Sequence, residues 1–318
     1  MGYVRDLRFD TLWLQQDGGV VVARYENPPY NFMTSAFVED WDRLTRAADR
    51  DGSVGAVVLT GAPDDRFLTH YDVDELAATA ETPAPPLTPL TANLLVRAGL
   101  ASVRLPAGRT AWLRYGGPLG RSLVTLGRLH GLIRRMHRSG VVYVAAVNGP
   151  CLGGGLEMAL ACDLRLASDS PVVRFGQVEI LGGIIPGGGG TQHLPRVVGT
   201  AKALELVLDG RSLTSAEALE IGLVAGVHAP ADLIGEASRL AGRLASRSPE
   251  SVAAAKRAVY EGSSRPLSQG LYVEAAGLVI SGKTWAARRL ARAFADDLAR
   301  FGETPFLADE ARWQSGSR

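Results

Sequence analysis

The sequence has few features of exported, membrane-embedded or disulfide-stabilised proteins. Two of its 318 residues are cysteines, Cys151 and Cys162. They are too few and too close for a disulfide framework, and no further His or Cys accompanies them as in a zinc site. The N-terminal stretch lacks an apolar core of signal-peptide length, and no window approaches the roughly 18 apolar residues of a membrane span. We therefore expect a cytoplasmic protein in a reducing compartment, neither exported nor embedded in a membrane.

A strong charge of either sign is also missing. The formal net charge is +1, and with acids and bases mixed along the chain no basic stripe indicates nucleic acid as a partner. The composition is 46% hydrophobic and 21% charged. These proportions are typical of a soluble globular chain of one or two domains with ample material for a core.

Strand-like and helix-like patterns alternate through the first part of the chain. Short apolar runs bounded by glycine or turn residues predict strands, and helical periodicity predicts helices between them. Strands that are followed by helices imply parallel pairing and an α/β fold class. The predicted strands cover 18–25, 53–61, 141–147, 163–168 and 171–176; helices are predicted at 34–48 and after Thr214, where Glu217 stands at capping-box spacing. From residue 231 only helical patterns remain, which favours a helical region used for assembly.

Residues at about 80–125 interrupt this alternation. The segment begins with a cluster of prolines and continues as a mixture rich in Arg, Leu and Gly. A connection of this length inside a compact domain is unusual. Two interpretations stay open: a loop or lid that faces a substrate, or an insertion that is solvated or contacts another subunit.

Two glycine clusters, at 153–155 and 187–190, predict turns where a ligand can approach the backbone. Neither cluster has the Lys and Ser or Thr of a phosphate-binding P-loop, and neither has the spacing of a dinucleotide fingerprint. The first cluster lies between a predicted strand and a predicted helix. A helix N-terminus offers unpaired N–H groups and the positive end of a dipole, so this turn can form half of an oxyanion hole.

Two glutamates lie in apolar surroundings next to these glycines. Glu157 falls in the first turn of the helix, and Glu179 falls between a short strand and the second glycine cluster. Either has an ordinary explanation: a first-turn acid complements the helix dipole, and a buried carboxylate can pair with an arginine. Together, beside an oxyanion turn, they indicate general acid and base chemistry, because apolar burial raises carboxyl pKa values toward neutrality.

Four segments carry a family resemblance: RFLTHYDVDEL, VAAVNGPCLGGGLEMALACDLRLAS, FGQVEILGGIIPGGGGTQHLPRVVG and LDGRSLTSAEALEIGLV. In order and spacing they resemble the crotonase, or enoyl-CoA hydratase/isomerase, superfamily, and the site residues are most similar to those of enoyl-CoA hydratases. The resemblance implies a crotonase-type spiral of ββα units over 1–230, with the insertion at about 80–125, and a helical C-terminal trimerisation region over 231–318. It also implies a homotrimer or hexamer.

The resemblance further implies an acyl-CoA substrate, with coenzyme A as part of the substrate and with no metal or other cofactor. The backbone N–H groups of Tyr71 and Gly154 would form the oxyanion hole. Glu157 would position and deprotonate a water molecule, and Glu179 would exchange the proton at the α-carbon. The implied reaction is the hydration of trans-2-enoyl-CoA to 3-hydroxyacyl-CoA, a hydro-lyase step of fatty acid metabolism.

The segment around Tyr71 departs from the family pattern, since Thr69, His70, Tyr71 and Asp72 stand where Ala-Gly-Ala-Asp is usual. His70 and Asp72, with Gly153 and Gly187, are candidate substrate-binding residues. His70 is either an extra acid or base or a histidine bonded to the backbone or to Asp72.

Other outcomes stay open at the level of the whole chain. The same framework supports double-bond isomerisation and thioester or C–C hydrolysis, and a non-catalytic acyl-CoA-binding trimer is a further alternative. Near the C-terminus, Arg288, Arg289 and Arg292 either meet CoA phosphates or form a solvated helix face.

Overall fold

The structure, a computed structural model, describes residues 4–82 and 87–315. Its strands form a six-stranded sheet of order β1-β2-β3-β4-β6-β8 and a two-stranded sheet of β5 and β7. The strands are β1 (Leu12–Asp17), β2 (Val20–Tyr25), β3 (Ala56–Gly61), β4 (Val142–Val147), β5 (Cys151–Leu152), β6 (Leu164–Ser168), β7 (Phe175–Gly176) and β8 (Gly226–His228).

The pairing follows the strand–helix alternation of the sequence. β1 and β2 form an antiparallel hairpin, and every later pair of the large sheet is parallel, from β2·β3 to β6·β8. Parallel strands need crossover connections, which the helices supply. The short parallel pair β5·β7 stands apart and aligns Cys151 with Phe175 and Leu152 with Gly176. The predicted α/β class is confirmed, whereas the strand predicted at 171–176 is reduced to its last two residues.

Fifteen α-helices occur in the described part of the chain. Those of the N-terminal half are α1 (Ser35–Ala48), α2 (Val73–Ala80), α3 (Pro89–Ser102), α4 (Pro106–Tyr115), α5 (Gly117–Met136) and α6 (Gly154–Ala161). The others are α7 (Gly190–Val198), α8 (Thr200–Asp209), α9 (Ser215–Glu220), α10 (Leu233–Ala245), α11 (Pro249–Arg257), α12 (Leu267–Gly282), α13 (Trp285–Phe301), α14 (Pro305–Ala308) and α15 (Glu310–Ser315).

Capping residues place several of these helix starts. Thr34 accepts a hydrogen bond from the Phe37 N–H at the start of α1. The predicted capping box of α9 is present: the Thr214 N–H donates to Glu217 Oε2 at 2.7 Å, and the Glu217 N–H donates to Thr214 Oγ1 at 3.2 Å. Each bond satisfies an N–H that the first helical turn leaves without a partner.

The described part of the insertion at about 80–125 is helical, because α3, α4 and the start of α5 lie there; whether it faces a substrate or another subunit stays a prediction. Thr88 caps α3 in a capping box with Thr91, and Pro89 is the first residue of that helix. Pro106 and Pro118 lie at the starts of α4 and α5 in the same way. A proline at a helix start loses no intrahelical hydrogen bond, so these prolines begin helices rather than break them. Residues 83–86 of the insertion lie outside the described residues.

Apolar side chains cover both faces of the large sheet, as parallel sheets require. On one face α1 and α5 bury Phe37, Trp41 and Leu132 against the strands. On the other face α10 buries Leu233 and Ala237 against the strands. The carboxyl ends of β3 and β4 therefore lead out of a fixed scaffold into the segment of Tyr71 and into the first glycine cluster with Glu157.

The chain after β8 is helical, as predicted from residue 231 onward. α12 and α13 leave large apolar side chains exposed, among them Leu271, Tyr272, Leu278 and Trp285. Assembly through this region stays a prediction. None of the helices in the described residues has the length and apolarity needed to cross a bilayer.

Candidate active site

Tyr71 packs against the start of α6. Gly153 takes φ +48° and ψ −122°, a conformation that L side chains rarely adopt, and so turns the chain from β5 into the helix. A Cβ on Gly154 would lie 3.1 Å from Tyr71 Cβ and 3.4 Å from the Tyr71 nitrogen. Gly154 is also the first helical residue, whose N–H has no partner inside the helix.

The Tyr71 N–H is free because of the way Tyr71 pairs with Met33. Tyr71 forms an isolated parallel bridge with Met33, in which the Met33 N–H donates to the His70 carbonyl and the Asp72 N–H donates to the Met33 carbonyl, both at 2.8 Å. In a parallel bridge the flanking residues make the bonds, so the N–H of Tyr71 itself points away from Met33. Within residues 4–82 and 87–315, neither this N–H nor that of Gly154 donates to another group. Both N–H groups are therefore available to a ligand.

Glu157 lies in the first turn of α6 and is only 6% exposed. Its Oε1 accepts the N–H groups of Gly188 at 2.7 Å and Gly190 at 2.8 Å. Burial raises the pKa of this carboxyl, and the backbone donors of the second glycine cluster oppose that rise. The two glycine clusters therefore meet at one carboxylate: the second supplies N–H groups to Glu157.

Glu179 begins a 3₁₀ turn directly after β7. Its carboxylate packs on the first glycine turn, since a Cβ on Gly153 would lie 3.3 Å from Glu179 Oε1. Burial, followed by the negative charge of Glu157, raises the pKa of Glu179 to about 7. No cationic side chain contributes to that pKa, so the described residues provide no arginine partner. Glu179 can therefore hold or release a proton near neutral pH.

Gln177 contacts Glu179 and was not identified from the sequence. It is 1% exposed. When its side-chain nitrogen faces the carboxylate, that nitrogen lies 3.0 Å from Glu179 Oε1 and 3.1 Å from Oε2. The sequence signal, a polar residue between the short strand and Glu179, was present but not distinctive. Gly188 and Gly190 were also missed as donors to Glu157, although the glycine run had marked that turn.

The candidate substrate-binding residues around Tyr71 are occupied by local contacts. His70 Nδ1 lies 2.8 Å from the Tyr71 carbonyl, and because a carbonyl only accepts, Nδ1 carries the hydrogen. The His70 ring stacks on Phe32 with centroids 4.2 Å apart. Asp72 caps α2 by accepting the Glu75 N–H at 3.0 Å. Of the open alternatives for His70, the structure shows the backbone-bonded one.

The other predicted ligand contacts lie at three separate places. The Gly187 carbonyl lies 3.0 Å from His130 Nε2 and faces α5, while Gly153 belongs to the first glycine turn. Arg288, Arg289 and Arg292 are exposed on α13, and Arg289 stacks on Trp285 at 4.8 Å. The described residues contain no group of three His, Cys, Asp or Glu side chains placed to hold a metal ion.

The chain is similar to known proteins along most of its length. A family model described as Enoyl-CoA hydratase/isomerase matches residues 121–303. The chain is 31% identical to the short-chain-enoyl-CoA hydratase of Clostridium acetobutylicum over 257 residues, which cover 80% of this chain and 83% of that protein. The Bacillus subtilis protein YngF is 47% identical over 131 residues, 41% of this chain and 50% of YngF.

Solved structures share the fold along most of the chain. An enoyl-CoA hydratase from Bacillus anthracis superposes with a TM-score of 0.69 at 25% identity, covering 93% of this chain and 98% of that one. Enoyl-CoA hydratase subunit I from Geobacillus kaustophilus gives a TM-score of 0.70 at 28% identity, covering 91% and 96% of the two chains.

Proposed function

The chain belongs to the enoyl-CoA hydratase/isomerase family, which acts on acyl-CoA thioesters, and from that membership we propose that it hydrates trans-2-enoyl-CoA thioesters to 3-hydroxyacyl-CoA. One observation carries the proposal. The carboxylates of the buried Glu157 and the half-buried Glu179 both pack on glycine turns beside the free N–H groups of Tyr71 and Gly154.

The two N–H groups bind the thioester oxygen. When water adds across the double bond, negative charge moves onto this oxygen as an enolate forms, and both donors are free to bind it. Removing one donor from such a hole costs around 2.7 to 4 kcal/mol of transition-state stabilisation. The large Tyr71 side chain leaves this function intact, because the donor belongs to the backbone.

The glutamates divide the proton transfers. Glu157 Oε1 is held by two N–H groups, which favours the carboxylate, so Glu157 takes a proton from water as the water oxygen bonds to C3. Glu179 delivers its proton to C2. The π electrons pass through the enolate into the new C–H bond, and solvent exchange resets both carboxyls. The proposed steps use no cofactor other than the coenzyme A of the substrate.

This division predicts a bell-shaped pH profile. Activity requires Glu157 ionised and Glu179 protonated, so kcat/KM falls at low pH and also falls above about pH 7, where Glu179 loses its proton. The two carboxyls interact, so the limbs report macroscopic pKa values of the pair. Glu157→Gln removes a negative neighbour and lowers the pKa of Glu179, which carbon-13 NMR of labelled glutamate measures. An unchanged pKa of Glu179 in this variant would show that the two carboxyls do not interact.

The first experiment follows the loss of enoyl absorbance with crotonyl-CoA and longer trans-2-enoyl-CoA thioesters. Glu157→Gln and Glu179→Gln are each expected to reduce kcat by roughly 10²–10⁴-fold, with the fold retained by circular dichroism. Glu220→Gln, on the exposed end of α9, is the matched control. Near-normal turnover in either active-site variant removes that residue from the mechanism, and conversion of trans-3-enoyl-CoA without hydration indicates an isomerase.

We further propose that the protein acts in the cytoplasm as a homotrimer or hexamer. The exposed apolar side chains of α12 and α13 support assembly, because large apolar patches mark interaction surfaces. Light scattering after gel filtration measures the mass, and a monomer at micromolar concentration would contradict this proposal.

A further inference from the structure

A cavity of about 320 Å³ opens beside the loop that holds Glu157. Its wall is formed by α3, α5, the loop before α7 and the first turn of α7. Gly188 lines the cavity, and a Cβ on Gly188 would lie 2.6 Å from Glu157 Oε2. The cavity therefore begins next to the carboxylate that we propose to act at C3 of the substrate.

The wall combines apolar and basic side chains. Leu100 and Ile133 contribute apolar surface, Arg104 and Arg134 contribute guanidinium groups, and the described lining contains no carboxylate. In the part of the chain that the structure describes, neither arginine is ion-paired: Arg134 Nε donates only to the His130 carbonyl, at 3.3 Å. The neighbouring Arg135, by contrast, pairs with Asp42. Two unpaired positive charges thus face one cavity.

The sequence explains why these arginines have no local partner. Residues 82–156 contain nine arginines and no aspartate, glutamate or lysine. The expectation that acids and bases are mixed along the whole chain is therefore wrong for this stretch, which includes α3, α4 and α5. An anion at Arg104 and Arg134 has to come from outside the segment.

His130 links the cavity wall to the loop before α7, which holds Glu157. Its Nε2 lies 3.0 Å from the Gly187 carbonyl and therefore donates to it. This bond joins α5 to the residue before Gly188. A group bound by Arg134 on α5 is therefore placed at a fixed distance from Glu157.

We propose that this cavity binds the distal end of the acyl chain and that this end carries an anionic group, a carboxylate paired with Arg104 and Arg134. The inference rests on the proposed function. Because Glu157 acts at C3, the carbons beyond C3 continue on its side of the site, where this cavity is. Arginine pairs with carboxylates through charge-assisted, often bidentate hydrogen bonds, while Leu100 and Ile133 contact the methylene groups.

The test compares two thioesters of equal chain length, trans-2-hexenoyl-CoA and trans-2-hexenedioyl-CoA, which differ in the distal carboxylate. The wild type is expected to favour the diacid thioester roughly tenfold in kcat/KM, as a hydrogen bond to a charged group allows. Arg104→Gln and Arg134→Gln each lower that value about tenfold and leave the neutral thioester within about twofold. Arg97→Gln, an exposed arginine of α3 outside the cavity, changes neither.

Three outcomes would overturn the inference. If the wild type hydrates the neutral thioester equally well or better, the proposed recognition of a distal carboxylate is refuted and the proposed hydratase function stands. If it hydrates neither thioester, the proposed function itself is refuted. Equal losses for both thioesters in the arginine variants would show that the arginines do not read the distal group. If those losses vanish when a pantetheine thioester replaces the CoA thioester, the cavity binds a CoA phosphate instead.

Discussion

Replacing Glu179 by glutamine should stabilise the fold at neutral and alkaline pH while abolishing activity. The pKa of Glu179 is raised from its ordinary 4.5 to about 7 by burial and by Glu157. Between these pH values the folded protein holds a proton that the unfolded chain has released. The folded state therefore loses stability as the pH rises from 4.5 to 7, and below pH 4.5 both states are protonated and the penalty is absent.

The size of the effect follows from that shift. A difference of about 2.5 units at about 1.36 kcal/mol per unit gives roughly 3.4 kcal/mol as an upper limit. Glu179 is only half-buried, and solvent screens part of the interaction, so we expect about 1–2 kcal/mol. Glutamine has the same shape and keeps a contact with Gln177, so packing changes little.

Urea unfolding of the wild type, Glu179→Gln and the control Glu220→Gln at pH 4.5 and pH 8 measures the difference. Glu179→Gln should gain about 1–2 kcal/mol in free energy of unfolding at pH 8 and little at pH 4.5, while the control follows the wild type at both values. An equal gain at both pH values would show that the effect is not protonic. A loss of stability at pH 8 would refute the raised pKa.

Gly188→Ala is expected to lower kcat by roughly 10–100-fold with KM retained, because the new Cβ would lie 2.6 Å from Glu157 Oε2 and displace that carboxylate. The control Gly235→Ala, in α10, has no atom within 4 Å of its Cβ and should keep kcat in the same steady-state assay. Lys256→Met should cost about 3–5 kcal/mol in urea unfolding, because it breaks the 2.7 Å ion pair with Asp163 and leaves a buried carboxylate. Adding Asp163→Asn should restore part of that loss.

Local patterns predicted most of the strands and helices because their physical causes are local. The apolar runs that form β2, β3, β4 and β6 are bounded by turn residues. Thr214 and Glu217, at capping-box spacing, predicted the start of α9. β1 was missed: its alternating pattern has one polar face and a buried Leu12, and only its pairing with β2 identifies it. The helices of the insertion were not predicted, although prolines lie at the first or second position of α3, α4 and α5, because proline also marks turns and loops.

The candidate site divides along the same line. Glu157 and Glu179 could be selected from their apolar neighbours, since an isolated buried charge needs a reason. The hydrogen bond from Gly188 to Glu157 could not be predicted from the sequence, because the two residues come from different segments and meet only through the packing of α6 against α7. The free N–H of Tyr71 depends in the same way on the bridge to Met33.

The contacts between glutamates and glycines link the chemistry to the fold. Glu179 packs on Gly153 of the first cluster, and Glu157 is held by Gly188 and Gly190 of the second. Each carboxylate thus reaches a turn that its own loop does not supply, and a Cβ on Gly153 or Gly188 would contact it at 3.3 or 2.6 Å. Because glycine has no side chain, both carboxyls fit against these turns within interaction range, and burial, followed by the charge of Glu157, raises the pKa of Glu179 toward 7. The raised pKa of Glu179 both destabilises the fold at neutral pH and supports its reactivity, so substitutions that move the two carboxylates apart should raise stability and lower activity together.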